Sequence, residues 1–157
     1  MSKLKLGFVG LGIMGAPMAG HLVAAGHELF INTRSKVPDE LAKTSAALCA
    51  TPAEVATKAD IIFMMVPDTP DVEKVLFGDK GVAAGLSKGK VVVDMSSISP
   101  IATKEYAKKI NALGCDYLDA PVSGGEVGAK NATLSIMVGG DEAVFNKIKP
   151  VLDLMGK

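Results

Sequence analysis

Hydrophobic positions along this chain follow two alternating rhythms. Leu4 to Gly10 is a nearly continuous apolar run, the pattern of a strand covered on both faces. From Met14 the residues Met14, Met18, Leu22 and Ala25 recur at helical spacing, and Gly26 supplies a C-terminal stop. Pro17 lies early enough in that helix to be tolerated. His27 to Asn32 returns to strand character, and Ala46 to Cys49 is predicted as a short strand. A helix then starts at a Thr51 cap, with Pro52 at its first position and Glu54 three residues after the cap. Asp60 to Val66 reads as a buried strand that stops at Pro67, with Met64 and Met65 as core fillers. The pattern goes on with a helix over Asp71 to Phe77, a strand over Lys90 to Asp94, a helix over Pro100 to Ala112 and a strand over Cys115 to Asp119. A strand over Thr133 to Val138 and a helix over Asp141 to Met155 complete it.

This order predicts an α/β fold with a mainly parallel sheet and helices on both faces. Its first turn is more specific. Gly10, Gly12 and Gly15 form a GxGxxG between strand and helix, and the second strand follows within the roughly 30 residues of a βαβ unit. In a dinucleotide fingerprint the first glycine makes the turn, the second admits the pyrophosphate and the third lets helix and strand pack closely. The anion would sit on the amides at the helix start, which makes Gly10, Leu11, Gly12, Ile13, Met14 and Gly15 cofactor-binding candidates. The fold class is therefore Rossmann-type and doubly wound, with residues 1–157 as one NAD(P)-binding domain.

A ribose with a free 2′-hydroxyl is usually held by a carboxylate at the end of the second strand. Here that stretch reads Asn32, Thr33, Arg34, Ser35, Lys36, with no acid. A 2′-phosphate would meet hydroxyls, an amide and cations there, so NADP is favoured and NAD remains possible. The alternative is that Arg34 and Lys36 are solvated loop charges, with Asn32 the safer ribose contact in either case. Ligands of such sheets bind beyond the carboxyl ends of the strands. That adds Val66 and Pro67 as an apolar wall and Ser96 as a hydroxyl near the nicotinamide end, although Ser96 and Ser97 could instead cap the helix at Pro100.

Composition narrows the partners. The 17 basic residues balance 17 acidic ones, so there is no electrostatic case for nucleic acid or an anionic membrane. Cys49 and Cys115 lack metal-ligand spacing and are expected as reduced thiols. His21 and His27 have no neighbouring acids that would suggest a metal. The start leads into a strand instead of a signal segment, and no apolar run reaches the ~18 residues of a membrane helix, so the expected compartment is the cytoplasm.

Two motifs carry a family resemblance. Residues 8–19, FVGLGIMGAPMA, resemble the N-terminal signature of the β-hydroxyacid dehydrogenases, the 3-hydroxyisobutyrate dehydrogenase-like family. Residues 119–125, DAPVSGG, with Ala129 following, resemble that family's substrate loop more than a hundred residues later. The stretches MMVPDTP (64–70), DMSSISP (94–100) and LSIMVGGD (134–141) are similar to its semialdehyde reductases. The resemblance implies NAD(P)H-linked interconversion of a small hydroxy acid and its semialdehyde, by a homo-oligomer when full length. It makes Ser123, Gly124 and Gly125 substrate-binding residues, suited to a small carboxylate because glycine permits close approach and amides donate without adding charge. Without the family, the same loop reads equally as a tight turn.

His21 stands where the signature usually has Asn, which puts a helix hydrogen bond in doubt, and Ala132 stands where the substrate loop usually has Gly. The family also places a catalytic lysine, with an Asn nearby, on a long helix that leads into an all-helical second domain. No lysine of this sequence matches that motif, so no catalytic residue is nominated and the chain is expected to be inactive alone. Two readings stay open: the N-terminal portion of a semialdehyde reductase, and a non-catalytic nucleotide-binding module. A relative of 6-phosphogluconate dehydrogenase shares the expected fold, but no phosphate-binding cluster accompanies Ser123.

Overall fold

The computed structural model describes residues 4–33, 37–66, 69–96 and 100–156. In chain order the elements are β1 (Lys5–Val9), α1 (Gly15–Ala24), β2 (Glu28–Asn32), α2 (Asp39–Ala42), β3 (Ala47–Leu48), α3 (Pro52–Lys58), β4 (Ile61–Met64) and α4 (Thr69–Phe77). They continue with α5 (Val82–Gly85), β5 (Val91–Asp94), α6 (Pro100–Ala112), β6 (Asp116–Asp119), β7 (Val122–Ser123), α7 (Gly125–Asn131), β8 (Ser135–Ile136) and α8 (Glu142–Leu152).

Six strands form one parallel sheet in the order β3-β2-β1-β4-β5-β6. The continuous apolar runs are explained by its two covered faces. Leu6, Phe8, Phe63, Val91 and Val93 enter one cluster with Met18 and Leu22 of α1, whereas Ile62, Met64 and Val92 enter the other with Val55 of α3 and Ile110 of α6. Phe8 and Phe63 stack at 6.2 Å between ring centroids across β1 and β4, and both are fully buried. Each such side chain contributes roughly 1.5–3 kcal/mol on burial. The α3 cap forms as its sequence predicts: Glu54 N donates to Thr51 Oγ1 at 3.1 Å, and Ala50 N donates to Glu54 Oε1 at 2.9 Å.

Order reverses between β1 and β4. The chain leaves β1 toward β2 on one side and returns at β4 on the other, so their carboxyl ends open a crevice.

The expected strand over Thr133 to Val138 is corrected. Only Ser135–Ile136 is strand, paired antiparallel with β7 in a separate two-stranded ribbon. The preceding loop turns the chain back on itself, so this segment does not join the parallel sheet. The last helix runs to Leu152, short of the expected Met155, with Pro150 in its final turn. Proline removes an amide there and weakens continuation.

Ala132 closes α7 at φ 56°, ψ 40°, and is the non-glycine residue with positive φ among the described residues. An L side chain in the left-handed region costs roughly 1–2 kcal/mol. Ala132→Gly removes that strain while adding freedom to the unfolded chain. The expected result is a net gain of about 0.5–1 kcal/mol in urea unfolding with an unchanged m-value, and a loss of stability would contradict it.

Candidate cofactor and substrate site

The protein's own packing requires two of the three glycines of the first turn. Gly10 has φ +98°, and a Cβ there would lie 2.2 Å from Met65 O, at the end of the neighbouring strand β4. At Gly15 a Cβ would lie 1.9 Å from Gly10 O and 3.2 Å from the Phe8 ring. Gly12 differs. A Cβ there would meet nothing within 4 Å, and its φ is not positive. The protein's own packing therefore does not demand glycine at position 12, and the free space lies at the start of α1.

That helix start is suited to an anion. Met14 at the cap makes no side-chain hydrogen bond, and the first turn carries no acid. Ile13 is 70 % exposed beside it, whereas Leu11 is buried in the core. At the helix start Ala16 N donates to Gly12 O at 3.0 Å. A groove of about 650 Å³ runs from Leu11, Gly12 and Ile13 along α1 to Glu126 and Lys130 of α7. An uncapped N-terminus with space at its second glycine fits a pyrophosphate.

The rim of the crevice is built by strand ends. Gly10 N donates to Asn32 O at 3.0 Å, which seats the end of β2 against the turn. The Asn32 side chain is 8 % exposed and its Nδ2 donates to Cys49 O at 3.0 Å, so its amide nitrogen is committed to the sheet. Thr33 lies partly exposed just beyond. Arg34, Ser35, Lys36 and Pro67 lie outside the described residues. Val66 is buried at the end of β4.

Ser96 follows the end of β5 and is fully buried. Its Oγ accepts a hydrogen bond from Val66 N at 2.9 Å. Its hydroxyl oxygen thus joins the ends of β4 and β5 beside the crevice. The predicted apolar wall at Val66 and the hydroxyl at Ser96 are two sides of one hydrogen bond.

Ser123, Gly124 and Gly125 lie together on the surface, at the end of β7 and the start of α7. Gly124 has φ +135° and Gly125 φ +62°, a sequence of positive angles that favours glycine and points the chain sharply into α7. The α7 helix is held to α1 by His21, whose Nε2 is 2.8 Å from Ala129 O. With the carbonyl as acceptor, Nε2 carries the proton. The histidine at the signature's usual Asn position therefore ties the glycine-turn helix α1 to α7, the helix after Ser123 and Gly124.

Two carboxylates missed as candidates sit at adjacent strand ends, Asp94 on β5 and Asp119 on β6, opposite each other in register. Asp94 is fully buried; burial pushes its carboxyl above the usual range, opposed by hydrogen bonds from Ser96 and Tyr117. Burial, with the charge of Asp94, raises Asp119 to about 6. Tyr117 is held protonated by burial and by the same carboxylate. The available signal was an acid closing each apolar run, in VVVD and DYLD. The cysteines are both buried and unpaired, and burial first, then Glu54, pushes the Cys49 thiol up to about 11. Among the described residues no group of acids, cysteines or histidines could hold a metal, and no helix is long and apolar enough to cross a membrane.

Residues 5–157 match the model of the NAD binding domain of 6-phosphogluconate dehydrogenase. The chain belongs to that family of NAD-binding domains. It is 60 % identical over 154 residues to 2-hydroxy-3-oxopropionate reductase of Escherichia coli, covering 98 % of this chain and 53 % of that protein. Among solved structures, 3-hydroxyisobutyrate dehydrogenase of Mycobacterium tuberculosis with L-serine superposes with a TM-score of 0.91 at 34 % identity, over 99 % of this chain and 53 % of that one. An imine reductase from Myxococcus stipitatus in complex with NADP+ superposes with a TM-score of 0.87 at 28 % identity, over 97 % and 52 %. The chain thus spans about half the length of the curated relatives it matches. The parallel sheet, its strand order and the glycine turn are those of an NAD-binding domain, and the resemblance to hydroxyacid dehydrogenases read from the two motifs is borne out.

Proposed function

We propose that this NAD-binding domain is the cofactor-holding part of a cytoplasmic, homo-oligomeric reductase that prefers NADP(H) and converts tartronate semialdehyde (2-hydroxy-3-oxopropionate) to glycerate. The observation that carries the cofactor part is the empty space over Gly12 beside an uncapped, acid-free helix start. The substrate part is supported by the 60 % identity to the Escherichia coli reductase and by the exposed Ser123-Gly124-Gly125 turn. When bound, the nicotinamide would supply the hydride. The chain's own residues bind and orient. Amides from Gly12 to Gly15 take the pyrophosphate, Thr33 and Arg34 the ribose end, and Val66 walls the adjoining side. Ser123 with the Gly124 and Gly125 amides accepts the substrate carboxylate. No catalytic residue is assigned within these residues: in this reading the proton donor comes from the length of the relatives that the chain does not span. The likeness to 3-hydroxyisobutyrate dehydrogenase makes that hydroxy acid the second candidate substrate.

Nothing acidic stands at Asn32-Thr33-Arg34 to repel a 2′-phosphate, which supports NADP over NAD. Calorimetric titration with NADPH and NADH is expected to show tighter NADPH binding. Arg34→Ala should cut that preference roughly tenfold, the size of one charge-assisted contact. An unchanged preference would remove Arg34 from the 2′-phosphate site.

A further inference from the structure

Side chains join Tyr117 within β6 to the ends of β5 and β4. The Tyr117 hydroxyl donates to Asp94 Oδ2 at 2.8 Å, Ser96 N donates to Asp94 Oδ1 at 3.0 Å, and Val66 N donates to Ser96 Oγ at 2.9 Å. On the β4 side the ladder ends with Met95 N on Met64 O, one residue before Ser96, and on the β6 side Ala120 N donates to Asp94 O, both at 2.8 Å. This relay runs from β6 through the end of β5 to the end of β4, and Asp94 and Ser96 have no exposed surface. It meets the crevice at Val66.

A carboxylate is a costly way to brace a sheet. Buried among Val92, Tyr106 and Tyr117 on the α6 side, it needs donors to offset desolvation, and the Ser96 amide, the Tyr117 phenol and the Ser96 hydroxyl supply them. What the carboxylate provides is geometry: two oxygens at fixed separation that bind Tyr117 on one side and orient the Ser96 peptide on the other. Oriented in this way, Ser96 offers its hydroxyl to an amide that the sheet leaves without a backbone partner.

We propose that Tyr117 and Asp94 are positioning residues for dinucleotide binding, setting the Ser96 and Val66 backbone at the crevice edge without touching the ligand. This rests on the reading that a dinucleotide occupies the crevice.

The experiment uses the 157-residue chain, NADPH calorimetry, thermal unfolding and amide NMR signals. Ile148→Val in α8 is the reference for loss of stability alone. Tyr117→Phe is expected to weaken NADPH binding about tenfold, the size of a hydrogen bond to a charged group, and to move the Ser96 and Val66 amide signals. Asp94→Ala should weaken binding at least as much. Asp94→Asn should recover most of that loss, because its amide can accept from Ser96 N and donate to the Tyr117 oxygen. If Asp94→Ala does not fold, the contrast between Tyr117→Phe and Ile148→Val decides. Wild-type binding with an equal affinity in Tyr117→Phe, whatever its melting temperature, overturns the assignment alone. A wild-type chain that binds no NADPH overturns the reading of the crevice as well, and stationary Ser96 and Val66 signals in Tyr117→Phe overturn the relay irrespective of ligand.

Discussion

Gly12→Ala is expected to leave the fold intact and remove most dinucleotide binding. The added Cβ meets nothing in the protein within 4 Å and the backbone is not in the left-handed region, so no internal contact must yield. Replacing glycine by alanine at a compatible position also lowers the entropy of the unfolded chain, which stabilises by about 0.4–1 kcal/mol. The melting temperature should therefore hold or rise slightly. A pyrophosphate seated on the helix start, however, would meet the new methyl group where it approaches the backbone most closely. Loss of one or two amide bonds to the anion, each worth about 1.5–3 kcal/mol, predicts binding weaker by on the order of 100-fold. Calorimetry with NADPH measures the loss, and thermal unfolding checks the retained fold. Unchanged affinity would place the pyrophosphate elsewhere; a collapsed melting temperature would make Gly12 a packing residue like its neighbours.

How far the sequence carried depended on whether a signal was local. The strands β1, β2, β4, β5 and β6 were legible because both faces are covered and the apolar runs are continuous. The α3 start was legible because Thr51, Pro52 and Glu54 act within one turn. The short helices α2, α5 and α7 have four to seven residues, too few for a period to emerge, and α7 includes two glycines that read as loop. The ribbon of β7 and β8 could not be separated from the main sheet by alternation, since direction of pairing is set by the α7 connection between them. Within the site, the glycine turn was legible because all of its atoms come from six consecutive residues. The bond of the Ser96 hydroxyl to an amide thirty residues earlier was not legible, because no local spacing records it. The Asp94 and Tyr117 pairing is hidden for the same reason: the strand register, not sequence spacing, brings them together.

Gly10→Ala should show the opposite separation and unfold the domain. At φ +98° an L residue carries strain of roughly 1–3 kcal/mol before any contact is considered. The Cβ would then lie 2.2 Å from Met65 O and 3.1 Å from Val66 Cγ1, so the end of β4 must move away from the turn. That movement pulls on the Met65 N bond to Val9 O and, through Gly10 itself, on the Gly10 N bond to Asn32 O, both 3.0 Å. The three central strand ends are thus strained by one methyl group. Backbone, unlike a flexible side chain, cannot turn aside, and the resulting overpacking adds about 1–3 kcal/mol. A total of roughly 3–5 kcal/mol is a large part of the 5–15 kcal/mol by which domains are usually stable. Urea unfolding should show a midpoint lowered accordingly with little change in slope. A variant whose midpoint matched wild type would mean that β4 yields freely at Met65, and the crevice edge would then be too soft to hold a cofactor in one place. Gly10 therefore links fold to function at the level of the backbone: the carbonyl that forbids its side chain belongs to the strand that forms the other wall of the crevice.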